Sequence, residues 1–263
     1  MTVRVDGCYN FRDTAGAPLA SGGTTRTGVL YRSDALSALT PEGLEDLANT
    51  RVGVIVDFRT ADERNAAPDR VPTTRPFRTV QLSFLEGAMA DMMKKLQGGA
   101  GSPTPQQREA AMSAIPTLAD LYIGMLQGGA ASFAQVARLI AEGDDSGPSG
   151  VLVHCTAGKD RTGVATALML DAAGVERSAV VADYAASQAN LAGPWAEGML
   201  HMVASFGIPL TPRLQTLVTG TPPEAIEAAL DWVDSQAGGS MEYLRSGGLT
   251  DDEAAALRRR FTG

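Results

Sequence analysis

The hydrophobic positions of the chain fall into two patterns that alternate along its length. Short runs rich in valine, isoleucine and leucine are separated by longer segments in which apolar residues recur at helical spacing. Strands that alternate with helices join into a parallel sheet, so the pattern predicts an α/β fold with a short, mostly parallel sheet and helices on both faces. The predicted strands cover residues 28–31, 52–58, 78–82 and 151–153.

Helix starts are marked by capping residues. Thr40 followed by Pro41 predicts a helix between the first two strands, because threonine caps a helix and proline fits its first position. A threonine followed three residues later by a glutamate is the signature of a capping box, in which the two side chains satisfy free backbone N–H groups. This signature occurs at Thr60 with Glu63, Thr221 with Glu224 and Thr250 with Glu253.

The C-terminal part of the chain, residues 175–263, is predicted to be helical. Before it, segment 162–173 is apolar nearly all round and is followed by Gly174, which predicts a buried central helix. Further helices are predicted over residues 175–190, 194–205, 222–236 and 251–260. The length and the hydrophobic content are compatible with one domain over residues 1–263.

Segment 86–104 departs from both patterns. It is rich in glycine and methionine, and we interpret it as a lid over the functional site. The helical stretch after it, residues 105–127, is interrupted at Pro116 and therefore predicts two helices. The predicted lid insertion covers roughly residues 86–130.

Composition narrows the classes of function. The net charge of −8 argues against nucleic acid as a partner, because phosphate backbones bind clustered cations. No apolar run of about 18 residues and no signal-peptide pattern occur, so we expect no membrane span, no signal peptide and a cytoplasmic location. The two cysteines, Cys8 and Cys155, are too few for a disulfide scaffold and fit a reducing compartment.

The segment that joins the last predicted strand to the central helix carries the chemistry. His154 and Cys155 end the strand, and five residues separate Cys155 from Arg161. A loop of this length lets its backbone N–H groups converge beside a helix N-terminus, which binds phosphate and stabilises a thiolate. The planar fork of Arg161 would bind two phosphoryl oxygens. The other loop residues predicted to bind phosphate are Thr156, Ala157, Gly158, Lys159, Thr162 and Gly163.

The string from His154 to Gly163 resembles the loop of the cysteine-dependent phosphatases, in particular the bacterial tyrosine phosphatase-like family with its dual-specificity and phosphoinositide-active members. Separate segments resemble the same family, namely residues 10–13, 31–34, 57–59 with Glu63, and 183–190. The resemblance implies a protein tyrosine phosphatase-like fold and a phosphocysteine intermediate. It also implies that the substrates are phosphotyrosine or phosphoserine/threonine proteins or phosphoinositides.

Expulsion of the leaving group requires a proton donor, for which the sequence offers Asp160, Glu86 and Asp13. The resemblance implies that the acid lies either in the loop beside the arginine or after the third strand, where Glu86 stands. We favour Asp160 and keep Glu86 as the alternative.

Strand ends line one crevice in such a sheet, so the polar residues just past the predicted strands are expected at one site. These residues are Arg32, Asp34, Asp57, Arg59, Glu86 and Cys155. Arg12, Asp13 and Arg59 are candidates for substrate binding, and bracing of the loop is the alternative for both arginines. Asp13, Asp34 and Asp57 have a second interpretation, in which each carboxylate anchors an arginine.

Specific roles are predicted for four further residues. His154 is expected to hydrogen-bond the loop backbone, and Thr162 to donate a hydroxyl hydrogen bond to the sulfur. Lys159, in a chain biased towards arginine, suggests a point charge near the phosphate or a second anionic group of the substrate. Cys8 is interpreted as a spectator thiol, with a protective disulfide to Cys155 as the alternative.

The predicted function is metal-independent hydrolysis of a phosphomonoester without a cofactor, since His154 and His201 are far apart and lack a metal-spacing motif. The alternatives are a phosphatase of a small metabolite, such as a nucleotide or biosynthetic intermediate, and a phosphate-reading module that has lost activity. Arsenate reduction and sulfur transfer fit the motif less well. The expected partner is a phosphorylated protein, lipid or small molecule, and the oligomeric state stays open.

Overall fold

The computed structural model describes residues 4–83, 116–205 and 209–263. Its sheet has five strands in the order β1-β2-β5-β3-β4, of which β2, β5, β3 and β4 run parallel. The prediction of a mostly parallel sheet is therefore confirmed, and the short antiparallel β1 was not predicted. The strands are β1 (Arg12–Asp13), β2 (Leu30–Ser33), β3 (Val52–Asp57), β4 (Arg78–Gln81) and β5 (Gly150–His154).

Helices make up most of the remaining described residues. In the first part of the chain they are a 3₁₀ helix (Leu36–Ala38), α1 (Pro41–Ala48), α2 (Ala61–Ala66), α3 (Leu118–Ala141) and α4 (Arg161–Ala173). The later ones are α5 (Arg177–Asn190), α6 (Pro194–Ser205), α7 (Pro212–Thr219), α8 (Pro223–Ala237), α9 (Ser240–Ser246) and α10 (Asp251–Thr262). Among the described residues, no helix is both long enough and apolar enough to cross a membrane.

Both faces of the sheet are covered, because successive side chains of a strand point to opposite sides. In β5, Val151 and Val153 join a large core with α3, α4, α8, α9 and α10. Leu152, between them, joins a smaller core that Leu36 and Leu47 close from the 3₁₀ helix and α1. The sheet is thus buried on both sides, with most of the helices on one side.

Helix α4 is the buried central helix that its composition predicts. Almost all of its residues are buried, and Gly174 ends it in the left-handed conformation at φ 91°. Because α4 starts directly after the loop at the end of β5, its N-terminus points its free N–H groups at that loop. The core therefore fixes the position of the candidate site.

The predicted capping boxes are confirmed at Thr60 and Thr250. The box predicted at Thr221 is wrong. Helix α8 has Pro222 as its N-cap with no side-chain cap, and the Thr221 hydroxyl donates instead to the carbonyl oxygen of Ala185 at 3.2 Å. Two consecutive prolines move the helix start by one residue and leave Thr221 free to join α8 to α5.

The observed bounds of helix α3 differ from those predicted next to the insertion. It begins just after Pro116, as the proline predicts, but continues to Ala141 instead of ending near residue 127. Glycines at three positions inside it did not stop it, because its apolar side packs on the large core. Glu86 and segment 86–104, interpreted as a lid, lie outside the described residues.

Candidate active site

The loop after β5 folds back over the sulfur of Cys155. This thiol is 2% exposed, and the backbone N–H of Gly158 donates to its Sγ at 3.3 Å. Gly158 has φ 68°, and a Cβ at this position would lie 2.3 Å from the carbonyl oxygen of Ser33. Only glycine fits there, so the close approach of the loop to β2 depends on this residue.

Arg161 is fixed by a bidentate ion pair with Glu63. Its Nη1 and Nη2 lie 2.7 Å from Oε2 and Oε1 of the carboxylate, and Nη1 also donates to the carbonyl oxygen of Phe58. The Arg161 Nε has no protein acceptor in the described part of the chain, so one edge of the guanidinium remains available for an oxyanion. Glu63 also accepts a hydrogen bond from the Thr156 hydroxyl at 2.6 Å.

Glu63 acts in α2 as well, where its carboxylate accepts from the backbone N–H of Thr60 in the capping box. Burial raises the pKa of Glu63, but the hydrogen bonds and charge of Arg161, with the Thr156 hydroxyl, outweigh burial and lower the pKa to about 2. The carboxylate is therefore ionised at neutral pH and ties the start of α2 to the start of α4.

A buried cluster lies behind the loop at the ends of β3 and β5. Arg59 is 1% exposed, and its Nη2 lies 2.9 Å from Asp57 and 2.7 Å from Asp69. His154 Nε2 lies 3.3 Å from the same Asp69 carboxylate. The expected anchoring of an arginine by Asp57 is thus what the structure has, and Arg59 braces this cluster.

The same cluster offers the ligand atoms of a metal site, since donor atoms of Asp57, Asp69 and His154 lie within 4.8 Å of one another. Arg59 donates to Asp57 and forms an ion pair with Asp69, so a positive charge already lies against the oxygens that a divalent ion would bind. The donor set is better suited to this guanidinium than to an ion.

A second network holds the loop from the side of β1 and α5. Asn10 Nδ2 donates to the carbonyl oxygens of Ala157 and Gly158 at 3.2 and 3.0 Å, and Arg32 Nη2 donates to Gly158 at 2.7 Å. Arg12 and Arg32 both pair with Asp183, at 3.0 and 2.6 Å. Arg12 therefore acts on the loop through its neighbours.

Asp160 and Lys159 meet at the end of the loop. Lys159 Nζ donates to Asp160 Oδ1 at 2.8 Å and to the carbonyl oxygens of Leu217 and Gly220 at 3.0 and 3.2 Å. The ammonium group is thus held against the C-terminal end of α7. The hydroxyl of Tyr122 donates to the same Asp160 oxygen at 2.7 Å.

Other predicted residues have local partners. Asp13 accepts from the Gly28 N–H at 2.8 Å, and Asp34 accepts from the Asn10 N–H at 2.9 Å. These aspartates bind backbone N–H groups in the described structure, so the prediction that they anchor arginines is wrong for both. The Thr162 hydroxyl is buried and has no hydrogen-bond partner among the described residues, so the hydrogen bond predicted from Thr162 to the Cys155 sulfur is not formed in this structure. Cys8 and Cys155 are both free, and burial, with the charge of Asp34, raises the pKa of Cys8 to about 12.

Sequence reasoning missed several functional contacts. The capping-box pattern predicts a helix cap at Glu63 and gives no sign of its pair with Arg161, although the resemblance of residues 57–59 with Glu63 does include this residue. Asp69 lies in an irregular segment after α2, and Tyr122 fits the apolar spacing of α3, so neither has a pattern that predicts a role. The resemblance of segment 183–190 did point to Asp183.

Comparisons with known proteins agree with this geometry. The model of the tyrosine phosphatase family matches residues 3–263. The triple specificity protein phosphatase PtpB of Mycobacterium tuberculosis is 29% identical over 285 aligned positions that cover all of both chains. A Cupriavidus necator protein named for tyrosine-protein phosphatase activity is 30% identical over 97% of this chain and 86% of its own length. A tyrosine-protein phosphatase of Nostoc commune is 30% identical over 88% and 73%.

The pair between Glu63 and Arg161 predicts the effect of Glu63→Gln. The neutral amide no longer fixes the guanidinium, so the affinity for vanadate should fall about tenfold, which corresponds to roughly 1.4 kcal/mol. Because the folded-state pKa of Glu63 lies below its ordinary value of 4.5, the ion pair stabilises the fold above pH 4.5. The difference in free energy of unfolding between wild type and variant should shrink as pH falls from 4.5 towards 2.

Glu253→Gln is the matched control, because Glu253 also completes a capping box and pairs with an arginine, Arg138, at 2.8 Å. The Glu253→Gln variant should lose a similar helix cap and keep its vanadate affinity. The affinity is measured by titrating vanadate as an inhibitor of turnover. An equal loss of affinity in both variants would refute the assigned role of Glu63.

Proposed function

Since the chain belongs to the tyrosine phosphatase family and is a cysteine-dependent phosphatase, we propose that Cys155 attacks the phosphorus of a phosphomonoester without the help of a metal ion. The sulfur forms a bond to phosphorus while the ester oxygen leaves with its bonding electrons and takes a proton from an acid. Water then attacks the phosphocysteine and releases inorganic phosphate. We also take residues 1–263 as one phosphatase domain, which the family match over residues 3–263 supports.

The single observation that carries this proposal is the position of the Cys155 sulfur under a backbone N–H and beside a fixed arginine. The Gly158 N–H is already aimed at Sγ, and Glu63 fixes Arg161 before any substrate binds. Fixed donors stabilise the spread negative charge of the transferring phosphoryl group without reorganising in the transition state. Preorganisation of this kind supports phosphoryl transfer at this site.

Thr162 has a part in the second step. Its buried hydroxyl lacks a partner in the described structure, which supports a role in which it donates to the sulfur as phosphate leaves. A buried donor without an acceptor costs free energy, so the hydroxyl gains most when a thiolate or a phosphoryl oxygen stands beside it.

We assign the proton transfer to Asp160, with Glu86 as the alternative. Asp160 is the N-cap residue of α4, yet its side chain makes no cap hydrogen bond and is instead held by Lys159 and Tyr122. Its side chain is 29% exposed, which lets it meet a leaving group at the mouth of the loop. These contacts support a fixed carboxyl group in the loop.

The cleft next to the loop supports an aromatic leaving group. It has a volume of about 360 Å³, and its lining includes Thr156 and Glu63, which also belong to the loop site. Two aromatic residues, Tyr9 and Trp195, line it as well, and Tyr9 is 49% exposed. Aromatic rings attract one another beyond the area that they bury. We therefore propose a phosphotyrosine side chain as the preferred substrate.

The charges of this cleft disfavour a leaving group that carries further phosphates. Its lining includes the carboxylates of Asp34 and Glu63, and Arg59 is buried and paired with two aspartates. The ammonium of Lys159 is engaged by two carbonyls and Asp160. Among the described residues, no unpaired cation lines the cleft, so a phosphoinositide with several phosphates would gain little there.

The first test concerns the nucleophile. Cys155→Ser should remove essentially all turnover and keep vanadate or phosphate binding, because a serine hydroxyl is not ionised at neutral pH. Arg161→Lys should also be severely impaired, because a lysine cannot donate two parallel hydrogen bonds. Steady-state kinetics on an aryl phosphate measures both, and activity of Cys155→Ser within about tenfold of wild type would contradict the mechanism.

The second test separates the two acids. Asp160→Asn should slow hydrolysis of alkyl phosphates about a hundredfold and that of an activated aryl phosphate much less, because the activated leaving group departs without a proton. It should also flatten the basic limb of the pH profile. Glu86→Gln serves as the comparison and should have a milder effect. A steep leaving-group dependence in Glu86→Gln, with equal losses on both substrates in Asp160→Asn, would reverse the assignment.

The third test concerns the substrate. Trp195→Ala should lower kcat/KM for a phosphotyrosine peptide about tenfold and that for the matching phosphoserine peptide less than about twofold, because only the former places a ring in the cleft. Met202→Ala is the control, since Met202 is exposed on the same helix and is not part of the cleft lining. Equal losses on both peptides, or a phosphoinositide turned over best, would contradict the proposed preference.

A further inference from the structure

Two buried tyrosines connect Asp160 to the helical core. Tyr122 in α3 and Tyr184 in α5 are both 0% exposed, and their hydroxyl oxygens lie 2.7 Å apart. The Tyr122 hydroxyl donates to Asp160 Oδ1 at 2.7 Å, so the Tyr184 hydroxyl is the donor in the tyrosine pair. The result is a directed chain of hydrogen bonds from Tyr184 through Tyr122 to Asp160.

The tyrosine pair is held rigidly by its surroundings. The two rings meet edge to face, with centroids 5.9 Å apart and an angle of 83° between their planes. The Tyr184 ring packs so closely on the first turn of α4 that a Cβ added at Gly163 would lie 2.9 Å from its Cδ2. The Tyr122 hydroxyl therefore has one position relative to the loop.

The hydroxyl of Tyr122 is a permanent donor. Burial and the negative charge of Asp160 hold the pKa of Tyr122 well above its usual value. The Lys159 ammonium donates to the same oxygen, Oδ1, at 2.8 Å. Two donors on one carboxyl oxygen fix the rotation of the group and leave Oδ2 as the oxygen that can carry a proton.

We propose that Tyr122, oriented by Tyr184, is a positioning residue that holds Asp160 so that Oδ2 delivers the proton to the leaving group. The inference rests on the proposed function, in which Asp160 is the acid. As the bond from phosphorus to the ester oxygen breaks, its electron pair goes to that oxygen, which takes the proton from Oδ2. The Asp160 carboxylate that forms keeps its two donors on Oδ1 and so needs no rearrangement.

The test is a double-mutant cycle between Tyr122 and Asp160, measured on an alkyl phosphate and an activated aryl phosphate. Tyr122→Phe keeps the ring and removes the donor, so kcat on the alkyl phosphate should fall about tenfold, while that on the aryl phosphate should change less than about twofold. Tyr184→Phe should have a weaker effect in the same direction. In the Asp160→Asn background, Tyr122→Phe should cause no further loss.

Tyr243→Phe is the matched control for the loss of a buried tyrosine hydroxyl. Tyr243 donates to the carbonyl oxygen of Leu126 in the same helix α3 at 2.6 Å, away from the loop. Tyr243→Phe should lower the free energy of unfolding about as much as Tyr122→Phe does, and it should keep the leaving-group dependence of the wild type. Equal losses on both substrates in Tyr122→Phe, or an undiminished loss in the Asp160→Asn background, would overturn the inference.

The single variants also separate this inference from the proposed function. If Asp160→Asn itself lacks the leaving-group dependence, the assigned acid is wrong and the positioning role is wrong with it. If Asp160→Asn has the dependence and Tyr122→Phe does not, only the positioning role is overturned.

Discussion

The ion pair between Glu63 and Arg161 is the interaction on which the site depends most. A loop of five residues between Cys155 and Arg161 has no regular hydrogen-bonding pattern of its own, so its shape must be imposed by neighbours. Glu63 contacts both ends of the loop, through Thr156 and through Arg161. Its own position is set by the capping box of α2, so a helix start controls the placement of the Arg161 guanidinium.

Separate supports hold the remaining sides of the loop. Asn10 and Arg32 hold its carbonyl groups, and the buried cluster of Arg59, Asp57 and Asp69 lies behind it. Burying so many charges is costly unless every one is paired, and removing one partner would leave an uncompensated charge in the interior. The buried charges described above are concentrated around the loop. Their pairs hold the loop donors in position before the substrate binds.

Local charge also resolves an apparent conflict with composition. The chain carries a net charge of −8, yet its substrate is an anion. In the proposed mechanism the N-terminus of α4, the free edge of Arg161 and the loop amides bind the anion, and all of them act over a few ångströms in a partly buried setting.

Most of the sheet and the phosphate-binding loop could be predicted from the sequence. Runs of β-branched residues predict the parallel strands. A cysteine at a strand end, with an arginine six positions later, predicts the loop. Strands and loop can be predicted because each depends on residues close together in the sequence. The contacts of Glu63 with Arg161 and of Tyr122 with Asp160 could not be predicted in this way. Each joins elements distant in the chain, and each residue also satisfies a simpler local pattern, a cap in one case and a helical core position in the other.

The proposed mechanism requires the phosphoryl group to pass through the sulfur of Cys155. The most direct measurement is rapid acid quenching of the enzyme during turnover of an aryl phosphate, followed by mass mapping of its peptides. We expect a phosphoryl group on the peptide that contains Cys155, formed at least as fast as product is released in the steady state. Turnover at the full rate with no phosphoryl group on that peptide, or with the group on another residue, would contradict it.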